Sequence, residues 1–579
     1  MIAWERKIVN HLATLPFGNE IPEGGFFSQN CGYFPVFIID LFISLGYNES
    51  NRLLSEVHFP MNPTPTRRHG VTFGRILGAS FLYLFLLLSF LCWFAAAWYV
   101  RVYGNTGFDS VIYTLTGGMN GVGGDLVRHF LLHAALPALL TATAVTVLLL
   151  WRGRPVWKLK NVQLFPLKRW VAGVLAAVLG LGVMTHGFAR VGMIEYFVRM
   201  GQESELYQEE YRDPNTVNIT FPEQKRNLIY IMLESMETSY LSQDMGGALP
   251  YNLIPELTQL AQENINFSHN ETVGGFRETP GASWTVGAMV AHTAGVPLKV
   301  PEGIADWQNG YGGEGEFLPG LTSLNSILHE QGYYQALMVG SDASFGGRET
   351  YFDTHKIDKI YDLYTAWYDG TVPLGYWNKW WGFEDEILFD YAKKELTAIS
   401  KQEQPFAFTM LTVDTHHIGG YTCQRCGSNY EESYENAIAC SSALVYEFVQ
   451  WIMQQPFFDN TTIIITGDHC SMDRGYFSRN VADDYVRHVY NCFINAAATP
   501  SRTQNRQFCA MDMFPTTLAA MGCTIEGDRL GLGTNLFSRQ PTLMERMGYE
   551  RLYVELSKRS EYYSSHFYGA IQDAVPTNP

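Results

Sequence analysis

Apolar residues fall into two regimes along this chain. Between residues 73 and 197 they form long runs almost free of charge; after residue 226 they form short runs separated by polar and glycine-rich stretches. Three of the long runs are helix-sized. One lies within 73–100 (LGASFLYLFLLLSFLCWFAAAWYV), one within 130–151 (FLLHAALPALLTATAVTVLLLW) and one from Trp170, over about 170–194 (WVAGVLAAVLGLGVMTHGF and a weaker extension). As helices, each can cross the roughly 30 Å of hydrocarbon in a bilayer. An earlier run, Pro35–Tyr47, is too short to span and is interrupted by Asp40. It reads as a buried or membrane-surface helix within an N-terminal segment, 1–66. The short runs alternate with helical patterns: Asn227–Leu233, Tyr334–Val339, Phe406–Val413, Thr461–Thr466 and His488–Ala497. Strand–helix alternation of this kind predicts an α/β domain with a mostly parallel central sheet, helices on both faces, over 226–545. The acidic stretch around Glu203–Tyr211 predicts a juxtamembrane linker over 201–225, and 546–579 reads as a C-terminal tail.

Charge orients this plan. Arg67, Arg68 and Arg75 precede the first long run, and Arg152, Arg154, Lys158, Lys160, Lys168 and Arg169 fill the loop between the second and third. The loop between the first and second carries little beyond Arg101 and Arg128. Basic loops stay on the cytoplasmic side, so three crossings put everything after about residue 200 outside a cell membrane. Seven of the nine cysteines lie in that outer part. Cys423-x-x-Cys426 is half of a zinc-site pattern, but no second ligand pair of suitable spacing follows it, and a disulfide among Cys423, Cys426 and Cys440 is the expectation for an oxidising compartment. The 579-residue chain has a formal net charge of −17, which argues against a nucleic-acid surface.

Four strands end in chemically capable residues. Asn227–Leu233 is followed by Glu234, Tyr334–Val339 by Gly340-Ser341-Asp342, Phe406–Val413 by Asp414-Thr415-His416-His417, and Thr461–Thr466 by Gly467-Asp468-His469. In a parallel sheet these ends share one edge, where ligands of open α/β sheets bind. Glu, Asp and His together there make a divalent-metal site the natural reading. A nucleophile is sought in Gly274–Pro297, GGFRETPGASWTVGAMVAHTAGVP, which combines glycine turns, a Thr-Pro step and a helix from about Trp284. A hydroxyl at a helix N-terminus beside a cation has its alkoxide stabilised, and an incoming phosphate meets the same amides. Thr279, Ser283 and Thr285 all carry hydroxyls there.

NLIYIMLES, ETPGASWTVGAMVAHTAGVPL, LTVDTHH, TGDH and LGLGTNLF, in this order, resemble the lipoteichoic acid synthases and periplasmic phosphoglycerol transferases of the alkaline phosphatase/sulfatase superfamily. The resemblance covers roughly 225–540. It implies a membrane-anchored, extracytoplasmic sulfatase-like α/β/α domain holding one Mn²⁺-like ion, with Mg²⁺ and Zn²⁺ as other candidates. The family's metal carboxylate falls on Glu234 and its Asp-His pair on Asp468 and His469. Its nucleophilic threonine, also a metal ligand, falls best on Thr279, with Ser283 and Thr285 as alternative registers. The histidine that meets substrate phosphate falls on His416, with His417 beside it. A substrate-binding arginine falls on Arg348, though Gly346 and Gly347 stand where the synthases carry an aromatic, so their glycerol pocket does not transfer simply. Asp342 and Trp381 are further substrate-site candidates.

What the resemblance implies is transfer of glycerol phosphate from phosphatidylglycerol to a cell-surface glycan or polyglycerolphosphate through a phospho-threonine intermediate. A phosphoethanolamine transferase shares the same logic. A sulfatase needs Cys or Ser in a C/S-x-P-x-R pattern, which Thr279-Pro280-Gly281 does not offer. A membrane-anchored ectodomain without catalysis would be expected to lack ligands, whereas Glu234, Asp468 and His469 are all present.

Overall fold

In a computed structural model, residues 73–568 are described except 105–107, 117–123, 152–156, 160–161, 166, 300–314, 374–375 and 377–380. The segment 1–66 and part of the basic 152–169 loop therefore lie outside the described residues.

Among the described residues three helices are long and apolar enough to cross a membrane: α1 (Phe73–Tyr103), α2 (Val127–Leu150) and α3 (Arg169–Arg190). They pack through small side chains. Ala138, Ala142, Ala172 and Ala176 are buried against Leu86 and Phe90. A Cβ on Gly180 would lie 2.4 Å from the Phe85 ring, so glycine is what lets α3 approach α1. At Gly192 the backbone turns left-handed (φ 73°), and a separate amphipathic helix, α4 (Met193–Met200), begins.

The central sheet has seven strands: β1 (Asn227–Leu233), β2 (Gly275–Phe276), β3 (Tyr334–Val339), β4 (Lys359–Tyr361), β5 (Phe406–Leu411), β6 (Thr461–Gly467) and β7 (Val489–Ile494). Their spatial order is β2-β7-β6-β1-β5-β3-β4. The run β6-β1-β5-β3-β4 is parallel, and β7 pairs antiparallel with both β6 and β2. Every residue of β1, β5 and β6 is buried, which is why these strands read as continuous apolar runs rather than alternating ones. The period-2 pleat still sorts their side chains. Leu228, Tyr230, Met232 and Ile464 face one core with α5 (Thr285–Ala294). Ile229, Ile231, Leu233, Ile463 and Ile465 face the other, with α6 (Asp385–Ile399) and α7 (Ser433–Met453).

Register aligns the strand ends. Leu233 pairs with Gly467, Met232 with Leu411, and Val339 with Leu411. Glu234, Gly340, Thr412 and Asp468 therefore emerge on one edge at nearly one level.

Three details depart from the sequence reading. The stretch 201–225 is built into the domain: Tyr207 is fully buried, with its ring 5.4 Å from Tyr563, and Ile219–Thr220 pairs with Thr524–Ile525. The tail is likewise packed over residues 546–568, through helices Tyr549–Ser557 and Glu561–Phe567, because Leu552, Leu556 and Tyr563 are large apolar groups that the core can cover. Cys423, Cys426 and Cys440 come together but are free thiols rather than a disulfide.

Ile464 has no exposure at the centre of β6, whereas Val554 is 37% exposed. Ile464→Ala is expected to lower unfolding free energy by ~2–5 kcal/mol, through lost transfer energy and the cavity left. Val554→Ala should change it by under about 0.5 kcal/mol. Thermal or denaturant unfolding of the two variants in detergent checks the difference.

Candidate active site

The site grows out of the β1 and β6 ends. Gly467 closes β6 where a Cβ would lie 2.0 Å from the Met236 carbonyl, so the chain passes there only as glycine. Asp468 N–H donates to Leu233 O (3.1 Å). Asp468 Oδ1 accepts from Ser235 N–H (2.9 Å) and His469 N–H (2.8 Å). Ser235, held at φ 56°, also donates its hydroxyl to Glu234 Oε1 (2.7 Å). These bonds fix both carboxylates before any ligand arrives.

Glu234, Asp468 and His469 each offer a ligand atom, all within 4.8 Å of one another, at 2%, 0% and 1% exposure. His469 Nδ1 lies 2.9 Å from the Cys470 carbonyl, which it meets as a donor. That tautomer leaves Nε2 facing Asp468 Oδ2 (3.3 Å) and Glu234 Oε1 (3.7 Å). Asp468 Oδ2 is buried and has no hydrogen-bond partner. Such an oxygen is costly unless a positive charge meets it. Burial, with the Glu234 charge beside it, pushes Asp468 up to about 7. Burial works against a charged His469, but Asp468, Glu234 and Glu278 outweigh it and hold the imidazole up at about 9. Glu234 is also buried, yet the neighbouring His416 and His469 keep its carboxyl below the usual range. Two carboxylates, one imidazole and an orphaned oxygen around one point make a donor set that fits a divalent cation.

The hydroxyl that joins this set is Thr285. As first residue of α5, it points Oγ1 at Glu234 Oε2 (3.3 Å), to which it donates, and at His469 Nε2 (3.4 Å). Thr279, the favoured register from the sequence, is not brought to the cluster. Its buried Oγ1 has no hydrogen-bond partner and lines a cavity wall. The reason is local. Pro280 and Gly281 (φ 75°) form a turn closed by Ala282 N–H to Thr279 O (3.1 Å), instead of a helix entry at Pro280. The helix starts at Thr285, five residues after Pro280, so Thr285 and not Thr279 occupies its N-terminus. Ser283, the intermediate register, lies with Thr279 on the cavity wall.

The β5 end supplies the histidines. Asp385, opening α6, accepts from Val413 N–H (2.7 Å) and Asp414 N–H (3.0 Å), while its own N–H donates to Asp414 Oδ2 (3.1 Å). This clamp positions His416, close enough to Glu234 to feel its charge. Burial lowers the His416 pKa. Its ring lies 4.3 Å from Trp381 and 4.4 Å from His417. His417 is buried, with its ring 5.0 Å from Tyr103 at the end of α1. Arg348 reaches the same edge. It donates to Ser341 Oγ (3.0 Å), Phe345 O (3.1 Å) and Asp342 O (2.5 Å), and its charge is felt at His416. The Asp342 carboxylate turns away to hold its own loop, accepting from Ser344 N–H (2.9 Å) and Tyr364 OH (3.2 Å).

Several contributors went unseen in the sequence. Glu278 accepts from Cys470 N–H (2.6 Å) behind His469, and Glu237 accepts from Ser471 N–H (3.2 Å) and Arg487 Nε (2.7 Å). Asp385 is a third. Nothing in the sequence marks these acids apart from surface carboxylates; only Glu278 had a signal, its place one residue before Thr279.

The sulfatase family model matches residues 226–523. Phosphoglycerol transferase I of Salmonella choleraesuis strain SC-B67 is 31% identical over 451 residues, 75% of this chain and 53% of that protein. The chain thus spans about half the length of the curated relatives it matches. A solved alkaline phosphatase superfamily protein from Vibrio parahaemolyticus superposes with a TM-score of 0.42 at 22% identity, covering 57% of this chain and 74% of the other. The integral membrane lipooligosaccharide phosphoethanolamine transferase A of Neisseria meningitidis gives 0.46 at 13% identity, covering 78% and 85%.

A cation at this cluster should stabilise the fold. Adding a divalent metal to chelator-stripped protein at one hundred times its Kd should contribute ~2.7 kcal/mol, read as a saturable rise in Tm. Asp468→Asn should abolish most of the rise. Without metal, His469 is held at about 9, so its charged pairing contributes stability below about pH 6.5 that is lost as pH climbs through 9. The metal displaces that proton, so the metal-induced rise should grow from pH 6 to pH 9.

Proposed function

This chain belongs to the sulfatase family, and we propose that it is a membrane-anchored, metal-dependent phosphotransferase moving glycerol phosphate from phosphatidylglycerol to a cell-envelope glycan or polyglycerolphosphate acceptor. The observation that carries the reading is Thr285: a hydroxyl at a helix N-terminus, 3.3 Å from Glu234 and 3.4 Å from His469. The name of the 31% identical relatives, phosphoglycerol transferase I, supports glycerol phosphate as the group moved. The basic loop pattern supports an outward-facing domain on a multi-pass bacterial membrane protein.

Glu234, Asp468, His469 and Thr285 would hold the cation, for which we propose Mn²⁺. When bound, it supplies the positive charge that favours the Thr285 alkoxide and neutralises phosphoryl oxygens. Thr285 releases its proton to water and its Oγ forms a bond to phosphorus. The bond from phosphorus to the diacylglycerol oxygen breaks, leaving glycerophosphoryl-threonine. An acceptor hydroxyl then attacks the same phosphorus and loses its proton, the bond from Thr285 Oγ to phosphorus breaks, and the threonine regains a proton from water. His416 is the group beside Glu234 that can hand a proton to the departing oxygen and take one from the acceptor. Arg348 supplies fixed positive charge, its guanidinium held by Ser341, Asp342 and Phe345. Trp381 walls His416, and His417 ties the histidine loop to the end of α1.

Donor access has a route. A cavity of about 400 Å³ runs between the ends of the membrane helices and the domain, lined by Tyr103, Tyr196, Arg199, Ser283, Lys299 and Cys470. Cys470, on its wall, directly follows His469 in the chain. Sulfatase chemistry is unsupported: the Thr285 Cβ is branched and cannot become the aldehyde carbon of formylglycine.

The test uses purified full-length protein, headgroup-labelled phosphatidylglycerol and Mn²⁺. Diacylglycerol release is expected from the wild type and should fall at least ~10³-fold in Thr285→Ala, the loss typical of a missing nucleophile. Thr279→Ala should stay within about fivefold, since that hydroxyl bonds nothing in the cluster. No release with any divalent metal, or a dead Thr279→Ala beside an active Thr285→Ala, would overturn the assignment.

A further inference from the structure

A second cluster of metal-ligating side chains lies away from the carboxylate site. Cys423 and Cys426 sit on the loop that follows His416 and His417, and Cys440 lies on α7. The three sulfurs are all within 4.8 Å of one another. Cys423 Sγ is 3.4 Å from Cys426 Sγ and 3.8 Å from Cys440 Sγ. Around an ion with ~2.3 Å metal–sulfur bonds, tetrahedral ligands stand about 3.8 Å apart. The thiols are spaced as the face of such a tetrahedron.

The Cys423 N–H donates to Cys426 Sγ (3.1 Å), and the Cys423 carbonyl accepts from Cys426 N–H (3.2 Å), closing the Cys-x-x-Cys turn. Arg425 brings a guanidinium close enough for Cys440 to act on it electrostatically, while it pairs with Glu447 (2.5 Å). Cys426 and Cys440 are buried and Cys423 is half-buried, so a fourth coordination position can face solvent.

We infer that Cys423, Cys426 and Cys440 form a structural site for a thiophilic divalent ion, zinc by its preference for tetrahedral thiolate, which fastens the histidine-bearing loop to α7. Binding involves no oxidation. The three thiols release three protons, the ion accepts three sulfur lone pairs, and water completes the fourth position. At its other end the loop is already tied, by Tyr421 N–H to Asp414 O (2.7 Å). The ion would then fix both ends of the segment running from Asp414 to α7.

The inference is independent of the transfer reaction, and its test is kept so. Full-length protein carrying Glu234→Gln and Asp468→Asn, which disable the carboxylate site, is purified from zinc-supplemented cells without chelator or reductant. Elemental analysis is expected to find about one zinc per chain, falling at least tenfold on adding Cys426→Ser or Cys440→Ser. Since those variants can lose zinc by misfolding, Co²⁺ is also titrated into the zinc-depleted parent. Thiolate ligation gives an intense near-ultraviolet charge-transfer band that oxygen ligands do not. A parent chain without zinc and without the band would overturn the inference. So would alkylation and peptide mass spectrometry showing Cys423 already disulfide-bonded to Cys426 or Cys440.

Discussion

Glu234 and Asp468 lie close together with almost no exposure, and the Asp468 Oδ2 atom has no hydrogen-bond partner, only the His469 imidazole 3.3 Å away. Two buried carboxylates in contact cost several kcal/mol each unless positive charge meets them. The protein supplies part of it as His469, held in its charged form by the same carboxylates. A divalent cation supplies all of it. The rest of the domain maintains this arrangement. Parallel register brings the β1 and β6 ends level. Gly467 lets the backbone pass the Met236 carbonyl. Ser235 and His469 N–H groups hold the inner oxygen of Asp468, so the outer one is left for a ligand.

The same edge couples the chemistry to the membrane helices. His417 packs on Tyr103 at the last turn of α1, and His416 stacks beside it within reach of the Glu234 charge. Cys470, the neighbour of His469, lies on the wall of the cavity between helix ends and domain. The packed 201–225 stretch and C-terminal helices brace this junction, Ser204 donating to Glu555 (2.9 Å) and Tyr207 meeting Tyr563.

Much of this was legible from residue order. Buried parallel strands leave continuous apolar runs, so β1, β5 and β6 stood out, and the polar residues at their ends followed directly. The membrane helices stood out by length and lack of charge. Thr285 was harder. Thr279-Pro280 looks like a helix entry, but Pro280-Gly281 makes a turn just as well, and only the packed position of Gly281 against the Leu298 carbonyl decides between them. Glu278, Glu237 and Asp385 were invisible because a buried acid that accepts backbone N–H bonds has the same letters as a solvated one. The 201–225 and 546–568 segments looked like linker and tail because each is too short to show periodicity, and aromatics such as Tyr207 and Tyr211 meet Tyr563 and Phe567 only across a long stretch of sequence.

The central claim is that Thr285, at the cation cluster, carries the transferred group. The direct measurement is peptide mass spectrometry of the wild-type protein, acid-quenched after brief exposure to phosphatidylglycerol and Mn²⁺ without acceptor. The account expects a glycerophosphoryl adduct on Thr285. An adduct on Thr279 or Ser283, or none on any residue while diacylglycerol accumulates, would contradict it.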